Sequence, residues 1–184
     1  RLVECVPNFS DGRHRAVIDA IALSISGVSG VKLLDVDPGA DTNRTVYTFV
    51  GPPEAVAEAA YRSAQKAAEL IDMSAHRGAH PRIGALDVCP FVPVAEISMQ
   101  ECAELARQVG RRIGSELGIP VYFYEHAASS DERKSLANIR TGEYEGLAQK
   151  LADPRWAPDA GPSTFNARSG ATVVGARNAK PGQD

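Results

Sequence analysis

The stretch HRGAHPRIGALDVCPFVPV, His76 to Val94, sets how the rest of the chain is read. Its first nine residues hold two histidines, two arginines and two glycines. His76 and His80 stand four positions apart, but Gly78 and Pro81 oppose a regular helix, so the polar half is predicted to be a loop. Leu86 to Val94 mixes Leu, Val and Phe with two prolines, which predicts a strand that begins and ends abruptly. A His-Pro-Arg loop that feeds a buried strand holds a reactive side chain on a rigid base. Taken alone, the same loop also reads as a polar surface turn with solvated histidines.

Upstream, Leu2 to Val6 is a short apolar run that Pro7-Asn8 stops, a first strand. NFSDGRHRAVIDAIALSI then predicts a turn and a helix, with Ser10 or Asp11 as cap and Val17, Ile18, Ile21 and Ile25 at helical spacing. Val31–Val36 and Thr45–Val50 are the next two strands, joined by the turn-forming Asp37-Pro38-Gly39. Pro53 opens an alanine-rich helix that reaches about Ile71.

Downstream, Ser98 and Glu101 form a capping box for a helix through Leu117, which Gly118 ends. Val121 to Tyr124 is a short aromatic strand. Short helices are expected around 131–138 and 143–151, then a loop over 153–170 and a last short strand at Thr172–Val174. The first six elements predict an α/β (α+β) fold of the ferredoxin-like, split βαβ kind, an antiparallel sheet with helices on one face.

The chain has 184 residues, 43% hydrophobic and 23% charged, with a formal net charge of -3. That is the mixture of a globular domain with a sizeable core. The acidic balance argues against a nucleic-acid partner. Cys5, Cys89 and Cys102 are scattered, which predicts reduced, buried thiols and a cytoplasmic protein. No apolar run is long enough to span a bilayer, and RLVECVPNF has no signal-peptide pattern, so no membrane partner is expected.

Four groups carry candidate chemistry. In the His76/His80 loop, a neutral histidine suits proton transfer and the arginines suit carboxylates. The zinc reading of HRGAH lacks a third ligand and the glutamate of H-E-x-x-H, so no metal is expected. DVDPGADTNRT, Asp35 to Thr45, is a polar turn whose Asp37 offers a carboxylate to orient a histidine or stabilise a cation. CVPNFSDG, Cys5 to Gly12, is a strand-to-helix turn with free backbone N–H groups. DAGPSTFNARSGAT, Asp159 to Thr172, presents backbone groups to a flat ligand, or is simply a surface loop.

CVPNFSDG, DVDPGADTNRTVYTFVG, LIDM, HRGAHPRIGALDVCPFVPV, GIPVYFY, IRTGEYEGL and WAPDAGPSTF run in order and close to ungapped. Together they resemble the N-terminal half of the formiminotransferase domain of the glutamate formimidoyltransferase family. The resemblance implies one subdomain over residues 1–178 and a frayed tail over 179–184. It implies a folate enzyme of histidine degradation and one-carbon metabolism, transferring the formimidoyl group of N-formimidoyl-L-glutamate to the co-substrate tetrahydrofolate. The family's catalytic histidine falls on His80, as general base and then acid. The second aspartate of its Asp-Val-Asp motif falls on Asp37.

Its folate-binding loop falls on Gly161, Pro162, Ser163, Thr164, Phe165, Asn166, Ala167, Arg168, Ser169 and Gly170. That loop reads NARSG where the family usually has a Pro and a Trp, so an aromatic surface for the pterin is not expected from it. Asn8, Asn43, Arg44 and Arg82 are expected on the substrate side, the arginines holding carboxylates. His80 and Asp37 are expected near one another at one end of the sheet, facing a groove shared with Asn8. The resemblance further implies a C-terminal subdomain, or a second copy, as the other wall of the cleft, so the chain is expected to be inactive alone. The competing readings are a non-catalytic folate-binding or interaction protein and a transferase that uses a formyl donor.

Overall fold

Leu2–Cys5 (β1) and Asn8–Phe9 (β2) are two pieces of one path across a sheet, interrupted at Val6-Pro7. In this computed structural model, which describes residues 1–179, both pieces lie between Arg44–Gly51 (β4) and Leu86–Ala95 (β5), antiparallel to each. Lys32–Gly39 (β3) pairs along the outer edge of β4. Arg15–Ser26 (α1) and Pro53–Leu70 (α2) make the two crossovers, which completes the ferredoxin-like βαββαβ unit. Met99–Leu117 (α3) then leads to Val121–Glu125 (β6). The last strand, Thr172–Ala176 (β7), inserts between β5 and β6 and runs parallel to both. The antiparallel unit is thereby widened into a mixed seven-stranded sheet.

Local chemistry accounts for the elements. α3 starts at the Ser98–Glu101 capping box and stops at Gly118 in the left-handed region, φ 67°. α1 begins at Arg15, later than a cap at Ser10 or Asp11 would place it. Asp11 still serves its start, accepting the backbone N–H groups of Arg13 and His14. β3 runs three residues past Val36, to Gly39. Pro38 is tolerated there because β3 pairs only with β4 and needs no donor on its other side.

The three long helices pack together over one face, burying Phe9, Tyr47, Phe49, Phe91, Ile21 and Ile113. Phe9 and Tyr47 meet edge to face at 5.2 Å. Along β4, buried Thr45, Tyr47 and Phe49 alternate with half-buried Val46, Thr48 and Val50, the pattern of a sheet covered on one face only. Below β5, β7 and β6 the second face is covered too. There Ile83, Val88, Tyr122 and Val173 pack on Leu136–Arg140 (α4) and Leu147–Ala152 (α5). Of the tail expected over 179–184, all but Ala179 lies outside the described residues.

Candidate functional site

The histidine loop is fastened to the β3–β4 turn at several points. A Cβ on Gly78 would sit 2.3 Å from the Thr42 carbonyl, so only glycine lets the two segments approach this closely. Asn43, at φ 50°, accepts from Gly12 N–H and donates to the Arg77 carbonyl, both at 2.9 Å. Its own carbonyl accepts from His76 Nε2 at 2.9 Å. Asn43 therefore ties three segments together.

The two histidines differ. His76 is buried, donates through Nε2 and accepts Arg82 Nε at Nδ1, 3.0 Å away. Burial and the Arg82 charge push its pKa below the ordinary value. His80 is half-buried. Its Nδ1–H donates to the Pro81 carbonyl at 2.6 Å, which leaves Nε2 as an acceptor, and Arg44 donates to that atom. Burial lowers its pKa, and the charges of Arg44 and Arg140 add to the lowering against the Pro81 bond. At neutral pH His80 is a neutral imidazole of defined tautomer.

A narrow cleft of about 10 Å³ is lined by Asn8, Thr42, Arg44, His76, His80 and Asp87, among others. Arg44 spans it, donating also to Asn8 Oδ1. Asn8 is fully buried and fixed through Nδ2 to the Val6 carbonyl. Asp37 does not line the cleft. It is exposed on β3, opposite Val46, and Asn8 is opposite the same Val46 from the other side. Directly opposed residues share a face, so Asn8, Val46 and Asp37 form one row across three strands. The row spans about 10 Å, two strand spacings.

Arg82 also lines the cleft, and it is paired from another side. Its two terminal nitrogens reach the Glu145 carboxylate, both at 2.9 Å, with Glu143 at 3.4 Å. Buried, and paired with these two carboxylates, it braces the loop. The Arg82 pairing in turn holds the Glu145 carboxyl down to about 2. Asp87 was not expected at the site. It accepts from Ile83 N–H at 2.6 Å and from Arg140 at 2.5 and 3.0 Å. The acidic pair in IRTGEYEGL was the available signal for counter-ions to a basic loop.

The 161–170 segment meets the same scaffold. Gly170 crosses Gly84, and Ala85 N–H donates to the Ser169 carbonyl at 2.9 Å. Arg168 bonds the end of α2 through Glu69, and Asn166 Oδ1 accepts from Ser169 N–H. Gly161 to Thr164 are exposed. Phe165 packs on Tyr144 at 5.6 Å, and the Arg82 guanidinium lies 5.8 Å from the Tyr144 ring. Phe165, within the loop, and Tyr144, from outside it, thus put an aromatic pair beside NARSG. No group of three metal-ligating side chains occurs among the described residues, and no helix there is long and apolar enough to cross a membrane.

A ferredoxin-like α/β subdomain with a neutral histidine, a spanning arginine and a glycine-rich loop on one scaffold defines an enzyme-like site. Residues 2–177 match the family model described as formiminotransferase domain, N-terminal subdomain, and the chain belongs to that family. It is 59% identical over 177 residues to the formimidoyltransferase-cyclodeaminase of Gallus gallus. It is 48% identical, over 177 and 179 residues, to the glutamate formimidoyltransferases of Streptococcus pyogenes serotype M1 and Thermoplasma acidophilum. Each match covers 96% of this chain, but 33% of the first relative and 59% of the other two.

Proposed function

We propose that the chain supplies the proton-transfer half of a glutamate formimidoyltransferase of the cytoplasm, in histidine degradation. The observation that carries this is His80, neutral, with Nδ1–H spent on Pro81 and Nε2 turned to the cleft. Formimidoyl transfer needs one group to take a proton from the attacking nitrogen and return one to the departing nitrogen. His80 Nε2 does both: it accepts the proton of the folate nitrogen as the new C–N bond forms. It then donates that proton to the glutamate nitrogen as the old C–N bond breaks. Asp37 places a carboxylate on the same sheet face, where it offsets the positive charge that develops at the reacting carbon.

Tetrahydrofolate supplies the nucleophilic nitrogen as co-substrate. The residues present suit a flat heterocycle: exposed backbone from Gly161 to Thr164, beside the half-buried Phe165 and Tyr144 rings. Because the chain spans 33 to 59% of these relatives, we place the other wall of the cleft in a C-terminal subdomain or a second copy.

A second reading is folate binding without turnover, since the exposed 161–164 backbone and the Phe165–Tyr144 pair can hold a flat ring whether or not His80 acts. One assay separates the two. It follows glutamate release from N-formimidoylglutamate and tetrahydrofolate, with the chain alone and with the C-terminal half of the Streptococcus pyogenes relative added. Turnover on addition, reduced about a thousandfold by His80→Ala, is the expected result. Turnover indifferent to His80→Ala overturns the base assignment, and binding without turnover supports the second reading.

A further inference from the structure

Three consecutive residues of the turn before α5 are fastened to Arg82. Glu143 and Glu145 take its guanidinium, and between them Tyr144 N–H donates to the Arg82 carbonyl at 2.9 Å. Gly142, at φ 89°, and Glu143, at φ 55°, give the chain the left-handed bend that sets these three side by side. Arg82 stands two residues beyond His80 in the same loop. Tyr144 is therefore anchored to the backbone that carries the proposed base.

From that anchorage the side chain reaches the other loop. The Tyr144 hydroxyl donates to the Ala167 carbonyl at 2.6 Å, and the ring packs on Phe165. Burial raises the Tyr144 pKa, with the charges of Asp72 and Glu145 adding to it, so the hydroxyl keeps its proton at neutral pH. Backbone bonds from Ala85 to Ser169 and from Ala171 to Ile83 hold the far end of the segment to the histidine loop. Asn166 Nδ2 ties its middle elsewhere, to the Gly118 carbonyl at 3.3 Å. Tyr144 carries the link with the histidine loop further along, to Ala167 and Phe165, beside the exposed stretch from Gly161 to Thr164.

We infer that Tyr144 is a positioning residue that sets the ring-binding 161–170 segment against the base, His80. Proton transfer needs the attacking nitrogen within hydrogen-bond reach of Nε2, and rate falls steeply when the two are loosely held. Tyr144 bridges the two parts of the site whose separation decides this. It touches no reacting atom and acts through Phe165 and the backbone at Ala167. The assignment rests on the proposed folate and base roles and deepens them, because it is selective. Loosening the segment weakens the hold on the flat co-substrate and leaves the amino-acid donor as it was.

The test compares wild type with Tyr144→Phe, which loses the hydroxyl and keeps the ring. In the chain itself, the Ser169 and Gly170 amides, both bonded to Asn166 within the segment, should exchange about fivefold faster, while the Ala171 amide, bonded to Ile83, keeps its rate. With the C-terminal half of the Streptococcus pyogenes relative added, the Kd for tetrahydrofolate should rise about fivefold and that for N-formimidoylglutamate should stay put. Turnover at saturating tetrahydrofolate should fall as well, since ring and base are no longer held in register. Unchanged exchange, an equal loss of affinity for both ligands, or full turnover at saturation overturns the positioning role and leaves the transferase reading standing. Wild type that binds tetrahydrofolate without turnover, or does not bind it, removes the transferase reading and the positioning role together.

Discussion

Arg82 Nε donates to His76 Nδ1 at 3.0 Å, and that bond separates the roles of the two histidines. It fixes His76 as the Nε2–H tautomer, whose proton goes to the Asn43 carbonyl. His76 is thereby a buried tie between the loop and the β3–β4 turn, which leaves His80 as the histidine to which the proposed proton transfer is assigned. His76→Ala would strand both a buried guanidinium N–H and a backbone carbonyl. The expected loss is about 2–3 kcal/mol in urea denaturation. An unchanged midpoint would show that the tie is not needed.

Asp87 is almost fully buried, and Arg140 neutralises it at 2.5 Å from an adjoining helix. Arg140→Ala leaves that carboxylate uncompensated, which should cost about 3–5 kcal/mol. Adding Asp87→Asn removes the stranded charge and should recover part of the loss. Equal stability of the single and double variants would contradict this account.

Two glycines make a matched pair. A Cβ on Gly84 would lie 1.9 Å from the Ala171 carbonyl, a backbone atom that cannot turn aside. At Gly118, φ 67°, nothing lies within 4 Å. Gly118→Ala should cost about 1 kcal/mol from backbone conformation alone. Gly84→Ala should cost at least about 2–4 kcal/mol, by prising the 169–171 segment from the histidine loop. Melting temperatures of the two variants in reverse order would sink the argument.

The Glu145–Arg82 pair sets a pH dependence whose sign is definite. Arg82 lowers the folded pKa of Glu145 from 4.5 to about 2. The stabilisation is therefore present above about pH 4.5 and is lost as the pH falls towards 2. Since the Glu145 side chain is 64% exposed, its size is at most about 1 kcal/mol. The gap in stability between wild type and Glu145→Gln should be visible at neutral pH and vanish near the acid end. A gap that persists there would point to packing instead of charge.

His76 and His80 should both titrate below the ordinary histidine value, His76 because burial outweighs the Asn43 bond. The neutral forms are favoured on folding, so the linked stability is full above the unfolded value and falls as the pH drops through it. Two-dimensional NMR of the four histidines measures this directly. His76 or His80 titrating above the ordinary histidine value would contradict their burial.

The βαββαβ core was legible because its signals are local: the Ser98–Glu101 box, the Pro53 start, the alternation from Thr45 to Val50. The placement of β7 was not. Thr172–Ala176 announces a strand, but its neighbours are separated from it by dozens of residues, and pairing partners leave no mark in a single sequence. β2 was missed because Pro7 reads as an end, whereas the chain resumes pairing at Asn8. At the site, residue types pointed to His80 and its loop. They did not show that Arg82 is consumed by Glu145, because counter-ions from a distant turn become neighbours only through the fold. The Asn8–Val46–Asp37 row was likewise invisible, being a matter of register.

The position of β7 also governs the order in which the molecule can be assembled. A ribosome releases β6 well before β7, yet β6 has no partner in the sheet until residues 172–176 arrive. The first four sheet positions, complete by Ala95, need nothing from the later chain. During the interval β5 keeps an open edge and an aromatic strand waits unpaired, a state that invites mispairing with other chains. When the late strand slots in, it closes both gaps and, through Gly170 on Gly84, sets the 161–170 segment against the histidine loop in the same event. A nascent chain halted before Thr172 should therefore carry a finished first half beside an unfilled gap between β5 and β6.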